Sequence, residues 1–272
     1  MSTPHEQYST NPHMQQMLLE SVAAVHRVMP DLEIDPQIMK AYGKLDRADF
    51  LPYTQQHYAY HDQSGALRTE THEFFPSATT RPSLVLMMLH ALRLTPYSGQ
   101  KIAEVGTGSG EVAAILDSLG CEVHTIEYDP GLAERARQRL QRLGHTAVHV
   151  YVGDGAKGIP QAGPFDRIFH TAGASSILHH LRDQLTAGGL LLHPFGRFNQ
   201  EDRMIHGRLA VVPKNDEASV LPLHVYFVPL ISPEVGGWTR GLHKNELIPS
   251  GSPKAKALHV VRRVVRPLLS VL

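Results

Sequence analysis

The stretch from Lys101 to Asp129 constrains this chain more than any other part of its sequence. It starts with a short apolar run, which indicates a buried strand, followed by glycines at alternate positions, Gly106, Gly108 and Gly110. An amphipathic pattern over 111–119 predicts a helix that ends at Gly120, and a second apolar run predicts another strand. This order is typical of a βαβ unit with a ligand-binding turn after its first strand.

The residues of this turn favour a cationic ligand over a diphosphate. Glycines let backbone N–H groups approach a ligand, and Glu127, at the tip of the second strand, is placed to accept from ribose hydroxyls. A dinucleotide fold has its third glycine at position 111, but here Glu111 and Glu104 would bring two acids near a pyrophosphate. S-adenosylmethionine, with a sulfonium, an ammonium and a ribose but no phosphate, suits these acids better. The alternative is an α/β turn that binds no ligand.

Five segments resemble those of protein-L-isoaspartate O-methyltransferases, in that family's order and spacing. They are EVGTGSG at 104–110, GDG at 153–155, PFDRIFHTAGA at 164–174, LLHPFG at 191–196 and FVPL at 227–230. The resemblance runs from about Asp46 to Trp238. It implies an α/β fold with a doubly wound, mostly parallel, seven-stranded Rossmann-like sheet. It also implies S-adenosylmethionine as the cofactor and methyl transfer to a carboxylate of a peptide or protein, at L-isoaspartyl residues.

The resemblance and the predicted strand ends together assign a cofactor site. Its residues are Glu104, Gly106, Thr107, Gly108, Gly110, Glu127, Tyr128, Asp154, Gly155 and Thr171. In this assignment Glu127 accepts from the ribose hydroxyls and Asp154 accepts from the adenine amino group. Glu104 would lie under the charged end of the cofactor or cap the loop, and the sequence leaves both open.

Thr80 is the candidate on the acceptor side, because it takes the place of a serine in the family pattern. It would donate its hydroxyl to the acceptor carboxylate or act as the N-cap of a helix starting near Pro82, and both roles stay open. The preceding segment, 63–77, is longer than the family's and lacks its Gly-Gln pair. A carboxylate is already anionic at neutral pH, so positioning and desolvation replace a general base.

Periodicity divides the chain into an N-terminal helical extension (1–45), a methyltransferase domain (46–238) and a C-terminal extension (239–272). The predicted helices outside the βαβ unit cover 14–29, 36–45, 83–92, 130–143 and 176–185. The predicted strands cover 148–152, 165–171, 190–194, 203–212 and 223–230, with a turn at 188–189. A basic, apolar helix over 259–272 is expected to pack on its own domain.

The composition of the chain limits the classes of partner that we expect it to bind. Lys and Arg total 26 against 26 for Asp and Glu, so no excess charge favours a nucleic-acid partner. We expect no membrane partner and a cytoplasmic location, since the chain has neither an 18-residue apolar run nor a basic leader. The 18 histidines show no metal-ligand spacing, so no metal is expected. The single cysteine, Cys121, precludes an intramolecular disulfide.

Two further functions remain open. One is a methyltransferase dedicated to an Asp side chain or C-terminal carboxylate of one peptide natural product, which the altered segment 63–82 and the C-terminal extension favour. The other is a catalytically silent, cofactor-binding scaffold, which the missing Gly-Gln pair and the Ser-to-Thr exchange permit.

Overall fold

The computed structural model describes residues 7–67 and 77–232 of the 272. The predicted C-terminal extension at 239–272, including the helix predicted over 259–272, lies outside the described residues. The helices are α1 (Pro12–Val28), α2 (Pro36–Gly43), α3 (Pro82–Ala91), α4 (Glu111–Ser118) and α5 (Pro130–Arg142). The strands are β1 (Ala66–Leu67), β2 (Ser77–Ala78), β3 (Lys101–Val105), β4 (Glu122–Glu127), β5 (His149–Val152), β6 (Phe165–His170), β7 (Leu185–Asn199), β8 (Met204–Pro213), β9 (Ser219–Val220) and β10 (Val225–Phe227).

One mostly parallel sheet organises the described chain. Seven strands follow the order β10-β8-β7-β6-β3-β4-β5, and β9 pairs with β8 beside this path. Strands β7, β6, β3, β4 and β5 run parallel, whereas β8 and β10 are antiparallel to their neighbours. The chain winds outward from β3 to β5 and then returns to β6 on the other side of β3, which creates a switch point at their carboxyl ends. The predicted α/β fold class is confirmed.

The sheet buries apolar side chains on both faces. On β3, Ile102 belongs to one core cluster, and Ala103 and Val105 belong to the other. Phe169 and Ile168 divide in the same way on β6. Since successive side chains of a strand point to opposite faces, this alternation holds the central strands rigid from both sides. The site at their ends is therefore built on a fixed frame.

The N-terminal helices share this core. Asn11 caps α1 by accepting from the backbone N–H of His13, and Asp35 caps α2 by accepting from that of Gln37. Helix α1 packs on α3, and α2 packs on α4. The predicted helices over 14–29 and 36–45 are thus confirmed, whereas the domain boundary at 45 stays a prediction. None of the helices in the described ranges is both long and apolar enough to span a bilayer.

The predicted helix over 176–185 is wrong. Only a 3₁₀ segment, His179–Gln184, forms there. The buried side chains of its N-cap residue, Leu178, and of Leu181 are three residues apart, which matches the three-residue turn of a 3₁₀ helix. The predicted turn at Gly188 and Gly189 is also wrong, because both glycines lie inside β7, where its register with β6 shifts.

The antiparallel edge of the sheet differs from its predicted extent. Strands β7 and β8 form a long hairpin from the Leu190–Pro213 pair to the Asn199–Met204 pair. The strand predicted over 223–230 reaches only Val225–Phe227, because Pro229 then bridges to Gly173 across the end of β6. The two-residue strands β1, β2 and β9 are too short to show any alternation in sequence.

Candidate active site

The glycine turn after β3 needs glycine at each of its alternate positions. Gly106, Gly108 and Gly110 all have positive φ angles, +99°, +54° and +84°. A Cβ on Gly106 would stand 2.5 Å from the hydroxyl oxygen of Thr171. That hydroxyl donates to the Gly106 carbonyl at 2.6 Å, so β6 and the turn are tied together. Thr107 points inward, with its hydroxyl 2.7 Å from that of Thr125 on β4.

Glu127 lies at the end of β4 and is bound to the turn. Its Oε2 accepts from the backbone N–H of Gly108 at 2.9 Å, and its Oε1 accepts from that of Asp129 at 3.1 Å. Burial raises the pKa of the Glu127 carboxyl, and the backbone donors of Gly108, Asp129 and Tyr128 oppose that shift. A carboxylate has about four lone-pair sites, so acceptor capacity remains for ligand hydroxyls.

Glu104 is almost completely buried beneath the turn, with 1% of its surface exposed. Burial raises the pKa of its carboxyl to about 8, a hydrogen bond with Thr125 lowers it, and the charge of Glu127 raises it further. Its Oε2 has no hydrogen-bond partner. Buried oxygens without partners are costly, so this one is a candidate for a functional role. It does not line the crevice described below.

The two site residues predicted in the turn after β5, Asp154 and Gly155, have different surroundings. Asp154 caps a short 3₁₀ segment, Gly155–Lys157, accepting from the N–H of Ala156 at 3.0 Å and from the hydroxyl of Ser232 at 2.6 Å. Gly155 lines the crevice, and a Cβ there would collide with the side chain of Val105. The structure thus gives Asp154 a local capping role, and its contact with adenine stays a prediction.

A crevice with about 660 Å³ of empty space, part of it open to solvent, lies at the switch point. Its lining brings together six of the predicted residues: Gly106, Gly108, Glu127, Tyr128, Gly155 and Thr171. Thr80, Glu104, Thr107, Gly110 and Asp154 are not part of the lining. Sequence reasoning missed Ser77 and Ala78 of β2, which cover the crevice, because a two-residue strand leaves no pattern. The segment 228–231 closes another side, and the FVPL motif was its signal.

The structure excludes one of the two roles that the sequence left open for Thr80. The N-cap of α3 is Arg81, and no side-chain hydrogen bond caps that helix. An N-cap role for Thr80 is therefore wrong. Its neighbour Thr79 is buried and bonded to Arg47, whereas Thr80 is half-buried.

Glu111 does not face a ligand, contrary to the argument made from its position. It begins α4 with 3% of its surface exposed. Its Oε1 accepts from Nε of Arg47 at 3.0 Å and from the hydroxyl of Tyr42 at 2.5 Å. The charge of Glu111 is thus matched by a buried guanidinium, and Glu104 and Glu127 remain as the acids under and in the site. Arg47 and Tyr42 were missed because their partner is more than 60 residues away in the chain.

The residues present fit a cationic nucleotide-like ligand. Among the described residues that line the crevice, the carboxylates are Glu127 and Asp129, and no Lys, Arg or His side chain lines it. Such a lining attracts a positive charge and disfavours a diphosphate. The described ranges contain no group of three or more His, Cys, Asp or Glu side chains able to hold a metal ion.

Known proteins match most of this chain. The family model for protein-L-isoaspartate(D-aspartate) O-methyltransferase matches residues 27–235. A curated relative from Ignicoccus hospitalis, named protein-L-isoaspartate O-methyltransferase, is 39% identical over 206 residues, which is 73% of this chain and 90% of the relative. A relative of the same name from Gloeobacter violaceus is 38% identical over 167 residues, 61% of this chain and 78% of the relative.

Solved structures share the fold. One named protein-L-isoaspartate O-methyltransferase superposes with a TM-score of 0.64 at 24% identity, covering 78% of this chain and 65% of that one. Another, from Plasmodium falciparum, is provisionally described as the same enzyme and was solved with S-adenosyl-L-homocysteine. It gives a TM-score of 0.61 at 17% identity, over 79% of this chain and 98% of its own.

The fold and the crevice define a Rossmann-like methyltransferase that uses S-adenosylmethionine. The family model spans well over half of the chain, and the curated relatives exceed 30% identity. The chain belongs to the protein-L-isoaspartate O-methyltransferase family. The predicted family, enzyme class and cofactor are thereby confirmed.

Proposed function

We propose that this protein methylates the free carboxylate of L-isoaspartyl residues in peptides or proteins. The observation that carries the proposal is the crevice at the ends of β3, β4 and β6, with an acidic, glycine-rich floor and strand β2 above it. The floor suits a methyl donor with a positive charge, and β2, which lines the crevice, is assigned to the acceptor side.

Positioning is the main task of the protein in this reaction. When bound, S-adenosylmethionine supplies an electrophilic methyl group, and an acceptor carboxylate is already a nucleophile at neutral pH. The rigid ends of β3 and β6 fix the donor side. The ribbon of β1 and β2, whose Ser77 and Ala78 line the crevice, is assigned to the acceptor side. Bringing the two together in a partly desolvated crevice lowers the barrier without a general base.

Each crevice residue receives a role in this proposal. Gly106 and Gly108 let the backbone approach the methionine part and the ribose, and Glu127 accepts from the ribose hydroxyls. The main role of Thr171 is to fix the turn, because its hydroxyl donates to the Gly106 carbonyl. Glu104 holds its proton near neutral pH and would ionise when the donor's cationic end binds above it. Thr80 remains the candidate donor to the acceptor carboxylate, with Ser77 as the competing hydroxyl, since Ser77 lines the crevice.

Glu127→Ala should weaken cofactor binding about 100-fold. The variant removes the carboxylate expected to bind the ribose and frees the Gly108 N–H, and hydrogen bonds to charged groups are worth about 1.5–3 kcal/mol each. Calorimetric titration with S-adenosylmethionine measures the change. Glu122→Ala, at the exposed start of the same strand, is the matched control and should bind normally. Unchanged binding by Glu127→Ala would remove the proposed ribose site.

Thr80→Val should lower kcat/KM for the acceptor about 10- to 100-fold and change the cofactor Kd less than about twofold. The loss corresponds to one hydrogen bond to a charged group. Steady-state kinetics with an isoaspartyl peptide measures it, and Thr80→Ser is the conservative control that should retain activity. Ser77→Ala is assayed beside it. If Ser77→Ala shows the loss and Thr80→Val does not, the acceptor hydroxyl belongs to Ser77. If both variants match wild type, neither hydroxyl receives the acceptor.

The second candidate function keeps the chemistry and changes the acceptor. A methyltransferase dedicated to one peptide would need acceptor contacts of its own, and β2 places Ser77 and Ala78 over the crevice in a segment that departs from the family pattern. This alternative predicts methylation of a normal Asp or a C-terminal carboxylate in one sequence context.

A further inference from the structure

Arg47 is a buried residue that donates hydrogen bonds from all three of its guanidinium nitrogens and that the reaction itself does not use. None of its surface is exposed, and it is the largest of the fully buried side chains among the described residues. Burial lowers the pKa of its guanidinium, but Glu111 and Tyr42 raise it, and the net pKa is raised. Arg47 therefore carries a permanent charge inside the core. Such a charge is tolerated only when its donors are matched by acceptors.

One side of the guanidinium binds helix α4, which follows the glycine turn and is called the cofactor helix below. Its Nε donates to Oε1 of Glu111 at 3.0 Å. Glu111 is the first residue of α4 and follows Gly110 of the glycine turn directly. The same carboxylate accepts from the hydroxyl of Tyr42 on α2. The start of α4 is thus tied to Arg47 through a pair with no access to water.

The other side holds the segment that covers the crevice. Nη1 donates to the carbonyl of Tyr58 at 2.9 Å, and Nη2 donates to the carbonyl of Gln63 at 2.8 Å and to the hydroxyl oxygen of Thr79 at 3.1 Å. Thr79 in turn accepts from the backbone N–H of Gly65 at 2.9 Å. Gln63 precedes β1 and Thr79 follows β2, so one guanidinium clamps both ends of the ribbon.

This ribbon lies against the cofactor turn. Ser77 and Ala78 line the crevice, and the side chain of Leu67 lies 3.4 Å from where a Cβ on Gly108 would stand. A shift of the ribbon therefore changes the gap between acceptor and donor. A planar guanidinium can reach Glu111, Gln63 and Thr79 at once, whereas a lysine ammonium on the same stem is a point donor and cannot.

We propose that Arg47 is a positioning residue that sets acceptor binding by locking the β1–β2 ribbon to the cofactor helix, and that it acts through Thr79. The proposal rests on the proposed function for its kinetic test, because the acceptor is an isoaspartyl peptide. Arg47 touches neither donor nor acceptor. Its removal should therefore raise acceptor KM while cofactor affinity stays close to wild type, whereas loss of a residue that only stabilises the fold should lower the melting temperature and leave acceptor KM unchanged.

The test uses Arg47→Lys, Thr79→Val and the double variant of the full chain. We expect Arg47→Lys to raise KM for the isoaspartyl peptide at least tenfold and Thr79→Val three- to tenfold, with the Kd for S-adenosylmethionine within threefold of wild type. The double variant should equal Arg47→Lys, because the two residues act in one chain of contacts. The proposal would be overturned if the double variant raised acceptor KM by the product of the two single effects. It would also be overturned if the cofactor Kd rose in step with the acceptor KM.

Two controls separate positioning from stability and from the identity of the acceptor. Leu181→Ala, which truncates the one buried side chain of the 3₁₀ segment that packs on β7 and β8, should lower the melting temperature without changing acceptor KM. Amide hydrogen exchange needs no acceptor: Thr79→Val should speed exchange in a 60–67 peptide and leave a 105–112 peptide unchanged. Equal acceleration in both peptides contradicts the clamp. A further outcome is that wild type fails to methylate the isoaspartyl peptide while Thr79→Val still speeds exchange only in the 60–67 peptide. In that case the proposed function fails, and the proposal that Arg47 locks the ribbon through Thr79 stands. If Arg47→Lys does not fold, Thr79→Val, which leaves the pair with Glu111 intact, decides the test.

Discussion

Gly106→Ala should reduce cofactor affinity about 100-fold or more, which corresponds to roughly 3 kcal/mol. Its φ of +99° is strained for any residue with a Cβ and costs about 1–3 kcal/mol. The added Cβ would also stand 2.5 Å from the hydroxyl oxygen of Thr171. That hydroxyl donates to the Gly106 carbonyl, so relief of the contact moves the turn itself. Calorimetric titration with S-adenosylmethionine measures the loss.

Gly144→Ala separates backbone strain from the collision in this test. Gly144 has a φ of +90°, but nothing lies within 4 Å of a Cβ placed there. It should lose stability comparably and keep full cofactor affinity. Adding Thr171→Ala to Gly106→Ala should restore part of the affinity, since it removes the atom that the new Cβ meets. If Gly144→Ala weakens binding as much as Gly106→Ala, the effect is global destabilisation and the close packing of the turn is irrelevant.

Glu104→Gln should make the protein more stable and a poorer binder of its cofactor. The folded pKa of Glu104 is about 8, against an ordinary value of 4.5. The folded state therefore holds this proton more tightly than the unfolded state. The penalty is absent below about pH 4.5, grows as the pH rises, and levels off above about pH 8 at about 5 kcal/mol at most. Glutamine carries no charge, so the stability gain over wild type should be small at pH 5 and large at pH 8, as measured by denaturant unfolding.

Cofactor affinity should change in the opposite direction in the same variant. An ionised Glu104 attracts a cationic ligand, so wild-type affinity should rise between pH 6 and pH 8, and binding should release protons. Calorimetry in two buffers of different ionisation enthalpy detects that release, which Glu104→Gln should abolish. Glu122→Gln, an exposed acid on the adjacent strand, is the control. A Glu104→Gln variant with wild-type affinity at pH 8 would show that this buried acid has no part in binding.

The βαβ unit could be predicted from sequence because its signals are local. Strand β3 matches the apolar run predicted over 102–105, α4 the helix predicted over 111–119 and β4 the run predicted over 122–126, each within one residue. Gly120 does follow the helix, with a φ of +76°. Alternation, glycine and helix periodicity each act over a few residues. Six predicted site residues line one crevice because their positions at strand ends follow from the topology alone.

The failures have a different cause, which is contact between distant parts of the chain. Glu111 was expected near the ligand, but Arg47, far away in sequence, binds it in the core. The helix over 176–185 was predicted from apolar periodicity, but only a 3₁₀ segment forms, with Leu178 and Leu181 buried three residues apart. The ribbon of β1 and β2 is fixed by Thr79 and by packing on Gly108, not by its own propensity. Tertiary contacts override local patterns at these positions.

The central claim is that an acidic, glycine-lined crevice holds a cationic methyl donor and delivers its methyl group to an isoaspartyl carboxylate. The direct measurement is transfer of label from S-adenosylmethionine to an isoaspartyl peptide and to its normal Asp twin. We predict base-labile methylation of the isoaspartyl peptide alone, with loss of both binding and transfer in Gly106→Ala. Methylation of the Asp twin, or intact cofactor binding with no transfer to either peptide, would contradict the claim and favour a dedicated acceptor or a silent scaffold.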